Sequence, residues 1–544
     1  MSAPTLTDLL EQLAEVDDRG LRFEDVELSW REHVVLSRRR AALLRDLLDE
    51  TSPPHIGILM DNIPEFSLLL GAAAFSGAVV VGLNTTRRGE ALACDIALAD
   101  CQVVFTEAAH SALLEGVELG DVRVIEIDTP EWTTMLAPYT GAVVEPAATS
   151  PGDLFMLIFT SGTSGDPKAV RCTHRKFTEP AAMLAARFGL GPDDTVYVSM
   201  PMFHSNAMIA GWSIGLAARG SIALRRRFSA SGFLPDVRRF GVTFANYVGK
   251  PLSYIVATPE RPDDHDNPLR IMYGNEASAA HAAEFARRFG ARVIDGFGST
   301  EGGISIASVP GAPAGALGRL PEGVEILDPE TGLPCPPAEF DADGRIVNAD
   351  AATGELVNVR GPGLFDGYYA NPAADAERLR GGRYHSGDLA YRDAEGFVYF
   401  AGRSSGWLRV DGENLGAAPI ERILMRYDGV AQVSVYGVPD RQVGDRVMAA
   451  VIPVAGKDFD PVAFARFLEA QTDLGPKQIP SLIRVCREFP RTATFKVLTR
   501  SLAAERWHCS DPVWVRERGD SEFRLLSAEL THLLEPATTG PSAR

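Results

Sequence analysis

Apolar and polar positions follow two alternating patterns from about residue 20 to residue 400. Short runs that are apolar nearly throughout alternate with longer stretches in which apolar positions recur at helical spacing. Runs of the first kind are typical of parallel strands buried on both faces. The candidate strands are HIGILM (55–60), VVVGL (79–83), QVVFT (102–106), VRVIEI (122–127), LFMLIFT (154–160), TVYVSM (195–200), TFANYVG (243–249), RIMYG (270–274) and RVIDGFG (292–298). This order predicts an α/β fold with mostly parallel sheets.

Residues that favour helix ends mark the stretches between these strands. Ser29 is placed to cap a helix over residues 29–50, and a second helix starts near Ser278 and stops at Gly290. The first helix precedes the first candidate strand and the second falls between two candidate strands, and such alternation is typical of an α/β fold.

The stretch Phe66–Asn84 carries no charge and has about the length that a membrane span requires. Pro64 favours a helix start just before it, and Gly77 favours a helix end inside it. We therefore predict a buried helix followed by a short strand, and no transmembrane span.

The pattern changes after residue 310, where turn-rich sequence with short alternating runs predicts a small antiparallel β-subdomain. Small polar residues at 401–406 (AGRSSG) mark a linker, and a compact module of helices and strands follows it. The predicted divisions are an N-terminal domain over 1–402, a hinge at 403–406, a small α+β domain over 407–535 and a tail at 536–544.

Composition narrows the classes of function. Acidic residues outnumber basic ones by 72 to 53, and the net charge is −19. This argues against nucleic acid as a partner, because phosphate contacts need clustered cations. The six cysteines show no metal-ligand spacing and suggest no disulfide framework, which favours a reducing compartment. With no secretory signal apparent, we expect a cytoplasmic protein; peripheral membrane association and a homodimer are both compatible with the sequence.

The run LIFTSGTSGDPKAV (157–170) starts as an apolar strand and continues into small polar residues that end at Lys168. Glycines and small hydroxyl residues let backbone N–H groups turn toward an anion, and the lysine adds a charge for phosphate. The run is not a Walker A loop, because Pro167 precedes the lysine and Ala169 replaces the Mg²⁺-binding hydroxyl. A flexible surface turn is the alternative, but such turns rarely follow so apolar a strand. The pattern predicts a phosphate-binding loop of another kind.

This loop is the first of an ordered series of motifs. The others are PMFHSNAM (201–208), YGNEAS (273–278), DGFGSTEGG (295–303), GELVNVRGPG (354–363), YHSGDLAYRDAEGFVYFAGR (384–403) and PRTATFK (490–496). Together they resemble the signature motifs of the adenylate-forming enzymes, which include acyl-CoA synthetases, amino-acid adenylation domains and luciferases. Taken singly, each residue has a structural explanation; the order and spacing of the set carry the resemblance.

The resemblance implies ATP as a substrate and gives residues that bind it. The triphosphate side consists of Thr160, Ser161, Gly162, Thr163, Ser164, Gly165 and Lys168. The remaining nucleotide contacts are Gly274, Asn275, Glu276, Phe297, Gly298, Ser299, Asp388 and Arg403. Among these, the resemblance implies that Phe297 stacks on adenine and that Asp388 accepts hydrogen bonds from the ribose.

The resemblance also implies how the acid is activated. Adenylation joins the carboxylate to the α-phosphate and releases pyrophosphate, so positioned cations and donors dominate the catalysis. Thr300 would contact the α-phosphate, and Glu301 would bind Mg²⁺. Lys168 and Lys496 complete the implied catalytic set, with Lys496 reaching the carboxylate and the α-phosphate from the small domain.

A second half-reaction with coenzyme A is implied as well. In the family the small domain swings about a hinge after adenylation and presents a tunnel for the thiol. The hinge position is Ser405, where the family usually has Asp or Lys, and Gly412 would line the thiol side. The chain has no obvious insertion near 400–420 of the kind that hinders this rotation in acyl-AMP ligases, which favours CoA as the acceptor.

The expected acid pocket is apolar. Its residues, implied by the resemblance, are His204, Asn206, Met208 and Trp212. No Asp or Glu occurs from His204 to Pro235, so nothing there could pair with a substrate ammonium. TFK (494–496) and GEN (412–414) resemble the very-long-chain acyl-CoA synthetase and fatty-acid transport protein branch. The overall likeness is to bacterial synthetases that activate steroid side-chain carboxylates.

These observations lead to one expectation and two alternatives. We expect an ATP-dependent acyl-CoA ligase for a long-chain fatty acid or a steroid side-chain carboxylate. An acyl-AMP ligase that loads a carrier protein is one alternative. A lipid-uptake protein without catalysis is the other, and the presence of Lys168, Glu301 and Lys496 argues against it.

Overall fold

The computed structural model describes most of the chain. The described residues are 3–161, 167–275, 277, 279–309, 311–313, 315–341, 346–403, 407–410, 413–440, 444–471, 474–475, 477–492, 497–516, 520, 522–527, 531 and 534. They form two compact units. The first comprises the described residues of Met1–Ser308 and Gly361–Gly382, and the second those of Val309–Arg360, Arg383–Thr492 and the C-terminal part.

Most of the parallel strand pairs lie in the first 308 residues. In chain order the strands are β1 Gly20–Phe23, β2 Val26–Ser29, β3 His55–Leu59, β4 Val79–Gly82, β5 Cys101–Thr106, β6 Arg123–Glu126, β7 Leu154–Ser161, β8 Pro167–Thr173, β9 Thr195–Val198, β10 Ser221–Leu224, β11 Phe244–Val248, β12 Ile271–Asn275, β13 Arg292–Gly298 and β14 Ser305–Ala307. The helices are α1 Leu6–Glu11, α2 Trp30–Leu47, α3 Pro64–Ser76, α4 Gly89–Leu98, α5 Ala108–Ser111, α6 Pro130–Leu136, α7 His174–Phe188, α8 Ser205–Ala207, α9 Ser213–Ala218, α10 Ala230–Phe240, α11 Gly249–Val256 and α12 Ala279–Phe289. A π-helical turn, Met208–Trp212, joins α8 to α9.

Two sheets organise this part of the chain. The first has the order β14-β13-β12-β11-β9-β10-β1-β2, and the second has the order β6-β5-β3-β4-β7-β8. The interior pairs of both sheets are parallel, whereas β2, β8 and β14 pair antiparallel at the edges. All nine predicted strands are present at the expected positions, which confirms the α/β class with mostly parallel sheets.

The predicted cap of α2 and both predicted ends of α3 are confirmed, whereas α2 ends at Leu47 and not at residue 50, and Ser278 lies outside the described residues. The Ser29 hydroxyl accepts a hydrogen bond from the Glu32 N–H, and the Glu32 carboxylate accepts one from the Ser29 N–H, so α2 starts with a capping box. Helix α3 starts at Pro64 and ends at Gly77, whose φ of 80° suits glycine. Among the described residues, no helix combines the length and the hydropathy that crossing a bilayer requires.

The chain then forms antiparallel structure. Its elements are β15 Gly318–Arg319, β16 Val324–Leu327, α13 Ala349–Ala352, β17 Gly354–Asn358, α14 Pro372–Arg378, β18 Leu379–Arg380, β19 Arg383–Arg392 and β20 Phe397–Arg403. Strands β15, β20, β19, β17 and β16 pair antiparallel in that order, which confirms the predicted β-rich stretch after residue 310. Residues 361–382, which include α14, belong to the first unit.

The C-terminal part has one further sheet. Its elements are β21 Trp407–Val410, β22 Glu413–Gly416, α15 Ala417–Leu424, β23 Val430–Asp440, β24 Gly444–Pro453, α16 Pro461–Ala470, β25 Leu482–Val485, α17 Thr499–Glu505, β26 Val513–Val515 and β27 Arg524–Leu525. The long hairpin of β23 and β24 packs with α15 and α16 around a core of aliphatic side chains and Phe464. The domain boundaries at 402 and 407 stay predictions, because the compact units follow a different division.

Candidate active site

The two ends of the predicted phosphate-binding loop form a hairpin, although the sequence predicted only one strand there. Thr160 on β7 lies opposite Lys168 on β8, and Ser161 lies opposite Pro167. Strand β8 was not predicted, because a stretch with proline and charged residues is not typical of a strand. Loop residues 162–166 lie outside the described residues, and they include the predicted Gly162, Thr163, Ser164 and Gly165.

The Lys168 side chain is nearly buried, at 7% exposure. Its Nζ lies 2.9 Å from Glu377 Oε2 on α14 and 5.4 Å from the centre of the Tyr368 ring. Glu377 is 64% exposed, so one face of this ion pair is open to solvent. The end of the hairpin therefore presents a shielded cation whose carboxylate partner comes from the surface.

Thr300 and Glu301 lie in the turn between β13 and β14. Gly298 is opposite Ser305, and the residues between them form the turn. The Gly302 N–H donates to the Ser299 carbonyl at 3.1 Å, and Gly302 has a φ of 73°. Phe297, the predicted adenine-stacking residue, is half-buried on β13 opposite Ile306.

Glu301 is buried, with only 9% of its surface exposed. Burial by itself would raise the pKa of this carboxyl. The Glu301 N–H, the charge of Arg378 and the hydroxyls of Tyr368 and Ser299 outweigh burial and hold the pKa below its usual range. These contacts favour the ionised form of the buried carboxylate.

Two contacts hold Glu301 from opposite ends. The Tyr368 hydroxyl donates to Glu301 Oε1 at 3.0 Å, and Lys176 Nζ donates to the Glu301 backbone carbonyl at 2.8 Å. Arg378 Nε donates to the Tyr368 hydroxyl at 3.3 Å. Tyr368 therefore touches both Glu301 and Lys168, two residues that the sequence predicted to act on the same nucleotide.

Ser205, in the predicted acid-pocket segment, contacts a residue of this turn. The hydroxyls of Ser205 and Thr300 lie 2.8 Å apart. Asn206 Oδ1 accepts from Asn246 at 2.6 Å, which anchors α8 to β11. His204 and Asn206 are half-buried, whereas Met208 is fully buried.

Trp212 has its own place in the core. It is fully buried, and its Nε1 donates to Ser67 Oγ on α3 at 2.8 Å. The same hydroxyl lies 2.8 Å from His33 Nε2. These contacts account for Trp212 as a packing residue, and its predicted role in the acid pocket stays a prediction.

Gly274 and Asn275 end β12 beside Tyr247 on β11. A Cβ at Gly274 would lie 2.1 Å from the Tyr247 carbonyl oxygen, so a larger residue does not fit. Asn275 Oδ1 is shielded from solvent and has no hydrogen-bond partner among the described residues. A buried acceptor of this kind can bind an amino or hydroxyl group of a ligand. Glu276 lies outside the described residues.

Asp388 and Arg403 lie in the second unit. Asp388 on β19 is directly opposite Arg403 on β20, and Asp388 is buried at 5% exposure. The sequence predicted both near the ribose, and the β-sheet register places them together. Three further predicted residues lie outside the described residues: Ser405, Gly412 and Lys496.

Four residues around Glu301 and Lys168 were not predicted: Lys176, Tyr368, Glu377 and Arg378. Lys176 had no signal, because a lysine in a helical pattern indicates a solvated face. Tyr368 had only a weak sequence signal: it and Tyr369 form an aromatic pair shortly before Asn371, which caps α14, and Pro372, its first residue. Only the pairing of residues 367–369 with β8 reveals their position.

A group of titratable residues lies elsewhere in the first unit. The group consists of the buried residues Asp61, Glu107 and His110. Each offers one possible ligand atom, and these three atoms lie within 4.8 Å of one another. Arg227 already binds Asp61 at 2.9 Å, and Arg226 binds Glu107 at 2.5 Å. The two arginines neutralise the carboxylates, so we assign this group to the fold and not to a metal.

Comparison with known proteins identifies the family of the chain. The family model "AMP-binding enzyme" matches residues 11–369, and "AMP-binding enzyme C-terminal domain" matches residues 419–496. The chain is 55% identical to the medium/long-chain-fatty-acid–CoA ligase FadD17 of Mycobacterium marinum over 94% of this chain and 99% of that protein. It is 46% identical to the steroid-22-oyl-CoA synthetase of Rhodococcus jostii over 95% and 96% of the two chains.

Solved structures agree in fold. ATP-bound MatB from Rhodopseudomonas palustris covers 92% of this chain and 98% of its own, with 22% identity and a TM-score of 0.79. The O-succinylbenzoate CoA synthetase MenE from Bacillus subtilis, in complex with AMP, covers 91% and 97% with 23% identity and a TM-score of 0.72. The sequence motifs, the fold and the family match together show that the chain belongs to the AMP-binding enzyme family.

Proposed function

We propose that the chain is an ATP-dependent acyl-CoA ligase for an apolar carboxylic acid. It joins the acid to the α-phosphate of ATP, releases pyrophosphate, and transfers the acyl group to coenzyme A with release of AMP. One observation carries the proposal: identity of 46 to 56% over at least 94% of the chain with four proteins named as acyl-CoA ligases or synthetases.

The site supports a nucleotide at the turn that carries Thr300 and Glu301. Lys168 offers a shielded ammonium, and the exposed carboxylate of Glu377 can turn to solvent when a phosphate replaces it. Phosphate and carboxylate are the anions for which such a lysine is suited. The proposal also includes the other predicted nucleotide-binding residues, with the roles described under the sequence analysis.

Mg²⁺ fits the donors at this turn. Glu301 is a buried carboxylate with a lowered pKa, and the preceding residue, Thr300, carries a hydroxyl that contacts Ser205. Oxygen donors of this kind suit Mg²⁺, which takes one or two carboxylates together with phosphate oxygens. When bound, the ion neutralises phosphate charge, whereas the protein's own part is to hold Glu301 ionised and in place.

The proposed acid is a medium or long-chain fatty acid or a steroid side-chain carboxylate. The relatives' names give both classes of acid. The residues after His204 are largely buried and apolar, and the segment to Pro235 has no acidic residue that could receive an ammonium group. Both features favour an acid without a charged body.

A ligation screen tests the substrate. Purified protein is incubated with ATP, Mg²⁺ and CoA, and with palmitate or sterol acids of several side-chain lengths, and the thioesters are identified by mass. We expect thioester formation with at least one of these acids. Higher kcat/KM on palmitate than on every sterol acid would reject a steroid preference.

Hydroxylamine trapping with and without CoA separates the ligase from the alternatives. A CoA ligase forms hydroxamate from its acyl-AMP without CoA and thioester with CoA. Acyl-AMP that accumulates in the presence of CoA would favour an acyl-AMP ligase for a carrier protein. Absence of acid-dependent pyrophosphate release with every acid would favour lipid uptake without catalysis.

Assembly and surroundings are the remaining parts of the proposal. A homodimer is checked by light scattering of the purified protein. Peripheral membrane association is checked by flotation with phospholipid vesicles. The hinge at Ser405 and the thiol-side role of Gly412 also stay predictions.

A further inference from the structure

Glu301 is held by residues that come from distant parts of the chain. Lys176 is 125 residues away and Tyr368 is 67 residues away. Neither residue belongs to a sequence motif that pointed to the nucleotide. Both residues donate hydrogen bonds to Glu301, which suggests that together they fix its position.

The Lys176 side chain is unusual for a lysine, because it is only 1% exposed. Its ammonium donates to two backbone carbonyls, those of Glu301 at 2.8 Å and Arg171 at 3.3 Å. Charged side chains are rarely fully buried, because desolvation of the charge is costly. Here the cost is offset by hydrogen bonds that tie α7 and β8 to the turn after β13.

Tyr368 contacts the side-chain end of Glu301. Its hydroxyl donates to Glu301 Oε1, its ring lies beneath the Lys168 ammonium, and Arg378 Nε donates to its oxygen. Residues 367–369 run along β8, with bonds from Arg171 N to the Gly367 carbonyl and from Tyr369 N to the Ala169 carbonyl. The tyrosine is therefore fixed by the strand that carries Lys168.

We propose that Tyr368 and Lys176 are positioning residues for Glu301, and that they fix its carboxylate for binding of Mg²⁺ with ATP. Lys176 sets the backbone at Glu301, and Tyr368 sets the direction of its carboxylate. The inference rests on the proposed function, because it assumes that Glu301 binds the cation of the nucleotide.

Calorimetric titration of ATP, without acid or CoA, tests this inference because no reaction follows binding. ATP is titrated with excess Mg²⁺ and again with EDTA into the wild-type protein, Tyr368→Phe, Lys176→Met and Glu301→Gln. We expect Mg²⁺ to tighten ATP binding in the wild type. Tyr368→Phe is expected to weaken MgATP binding about fivefold or more and to leave metal-free ATP binding unchanged, because a hydrogen bond to a charged group is lost.

Tyr197→Phe is the matched control. Tyr197 is also buried, and its hydroxyl donates to the Asp236 carboxylate at 2.8 Å in the same unit. This variant removes the same atom from a tyrosine–carboxylate pair, so it is expected to lose stability and to keep the wild-type response to Mg²⁺. Tyr368→Phe keeps the ring and remains the deciding variant if Lys176→Met does not fold.

The outcomes separate the inference from the proposed function. If Glu301→Gln loses the effect of Mg²⁺ while Tyr368→Phe and Lys176→Met behave as wild type, the positioning role is wrong and the proposed function stands. If Glu301→Gln binds MgATP as the wild type does, the metal role of Glu301 is wrong and the inference fails with it. Weakened MgATP binding in all three variants, with Tyr197→Phe unchanged, supports both.

Discussion

At the scale of the residue, Gly302 lies where the turn after β13 packs against Lys176 and Leu364. Its φ of 73° lies in the left-handed region, and a Cβ there would lie 3.2 Å from both Lys176 Cε and Leu364 Cβ. An alanine would therefore strain the backbone and press on the lysine that holds Glu301. The position couples backbone geometry to the predicted metal ligand.

We predict that Gly302→Ala lowers acid-dependent ATP–pyrophosphate exchange about tenfold or more, since small displacements of a catalytic group have large effects on rate. Gly290→Ala is the control, because Gly290 has a φ of 71° and a Cβ there would meet no atom within 4 Å. Both variants are expected to lose about 1–2 kcal/mol of stability from the backbone strain. Equal exchange rates in the two variants would contradict a special role for the turn.

At the scale of the element, two buried histidines join helices of the first unit. His33 on α2 lies 2.8 Å from Ser67 Oγ on α3, and His174 at the start of α7 accepts a hydrogen bond from Leu6 N at the start of α1. Burial lowers the pKa of His33 to about 3 and that of His174 to about 4. Both rings are therefore neutral in the folded protein at neutral pH.

We predict that the first unit loses stability as the pH falls below about 6.5, the pKa of an unfolded histidine. Between that value and the lowered pKa values, the unfolded chain binds protons that the folded chain does not. At pH 5 each histidine should cost about 2 kcal/mol of the free energy of unfolding. Urea denaturation at pH 7 and pH 5 measures the effect.

His33→Gln should remove part of this pH dependence, because this histidine no longer titrates, whereas His174 and the buried His55, whose pKa is also lowered by burial, still do. The control is the exposed His265→Gln, which should leave the pH dependence as in the wild type. A pH dependence that is identical in the wild type and His33→Gln would show that the acid sensitivity has another source.

At the scale of the whole molecule, the two half-reactions make different demands on the chain. Lys496 belongs by resemblance to the adenylation step, and it comes from the C-terminal part of the sequence. Thioester formation from a ready-made acyl-AMP should not need this lysine. The two steps can therefore be measured separately.

We predict that Lys496→Ala lowers acid-dependent ATP–pyrophosphate exchange by on the order of 10²–10³-fold, as expected when one charge-stabilising donor is removed. The same variant should form thioester from synthetic acyl-AMP and CoA at a rate near that of the wild type. Lys457→Ala, a change of an exposed lysine between β24 and α16, is the control and should keep both rates. Retained exchange in Lys496→Ala would refute the catalytic role.

Much of the fold could be predicted because its signals are local. Strand β3 is a short apolar run, α2 begins at a serine that caps it, and α3 lies between Pro64 and Gly77. Each depends on residues within one or two turns of the chain, so the sequence alone displays them. Strand β8 escaped prediction because it pairs with β7 in spite of its composition.

The amino-acid sequence on its own determined the order of the elements, the parallel α/β class and the nucleotide motifs, because these depend on short-range patterns. The surroundings of those motifs depend on contacts across 67 to 209 residues: Tyr368 and Lys176 on Glu301, and Glu377 on Lys168. Such contacts arise when a segment crosses to a distant strand, as residues 367–369 do at β8. No local sequence pattern encodes that crossing. The contacts of Lys176 and Tyr368 with Glu301 can therefore be recognised only in the folded chain.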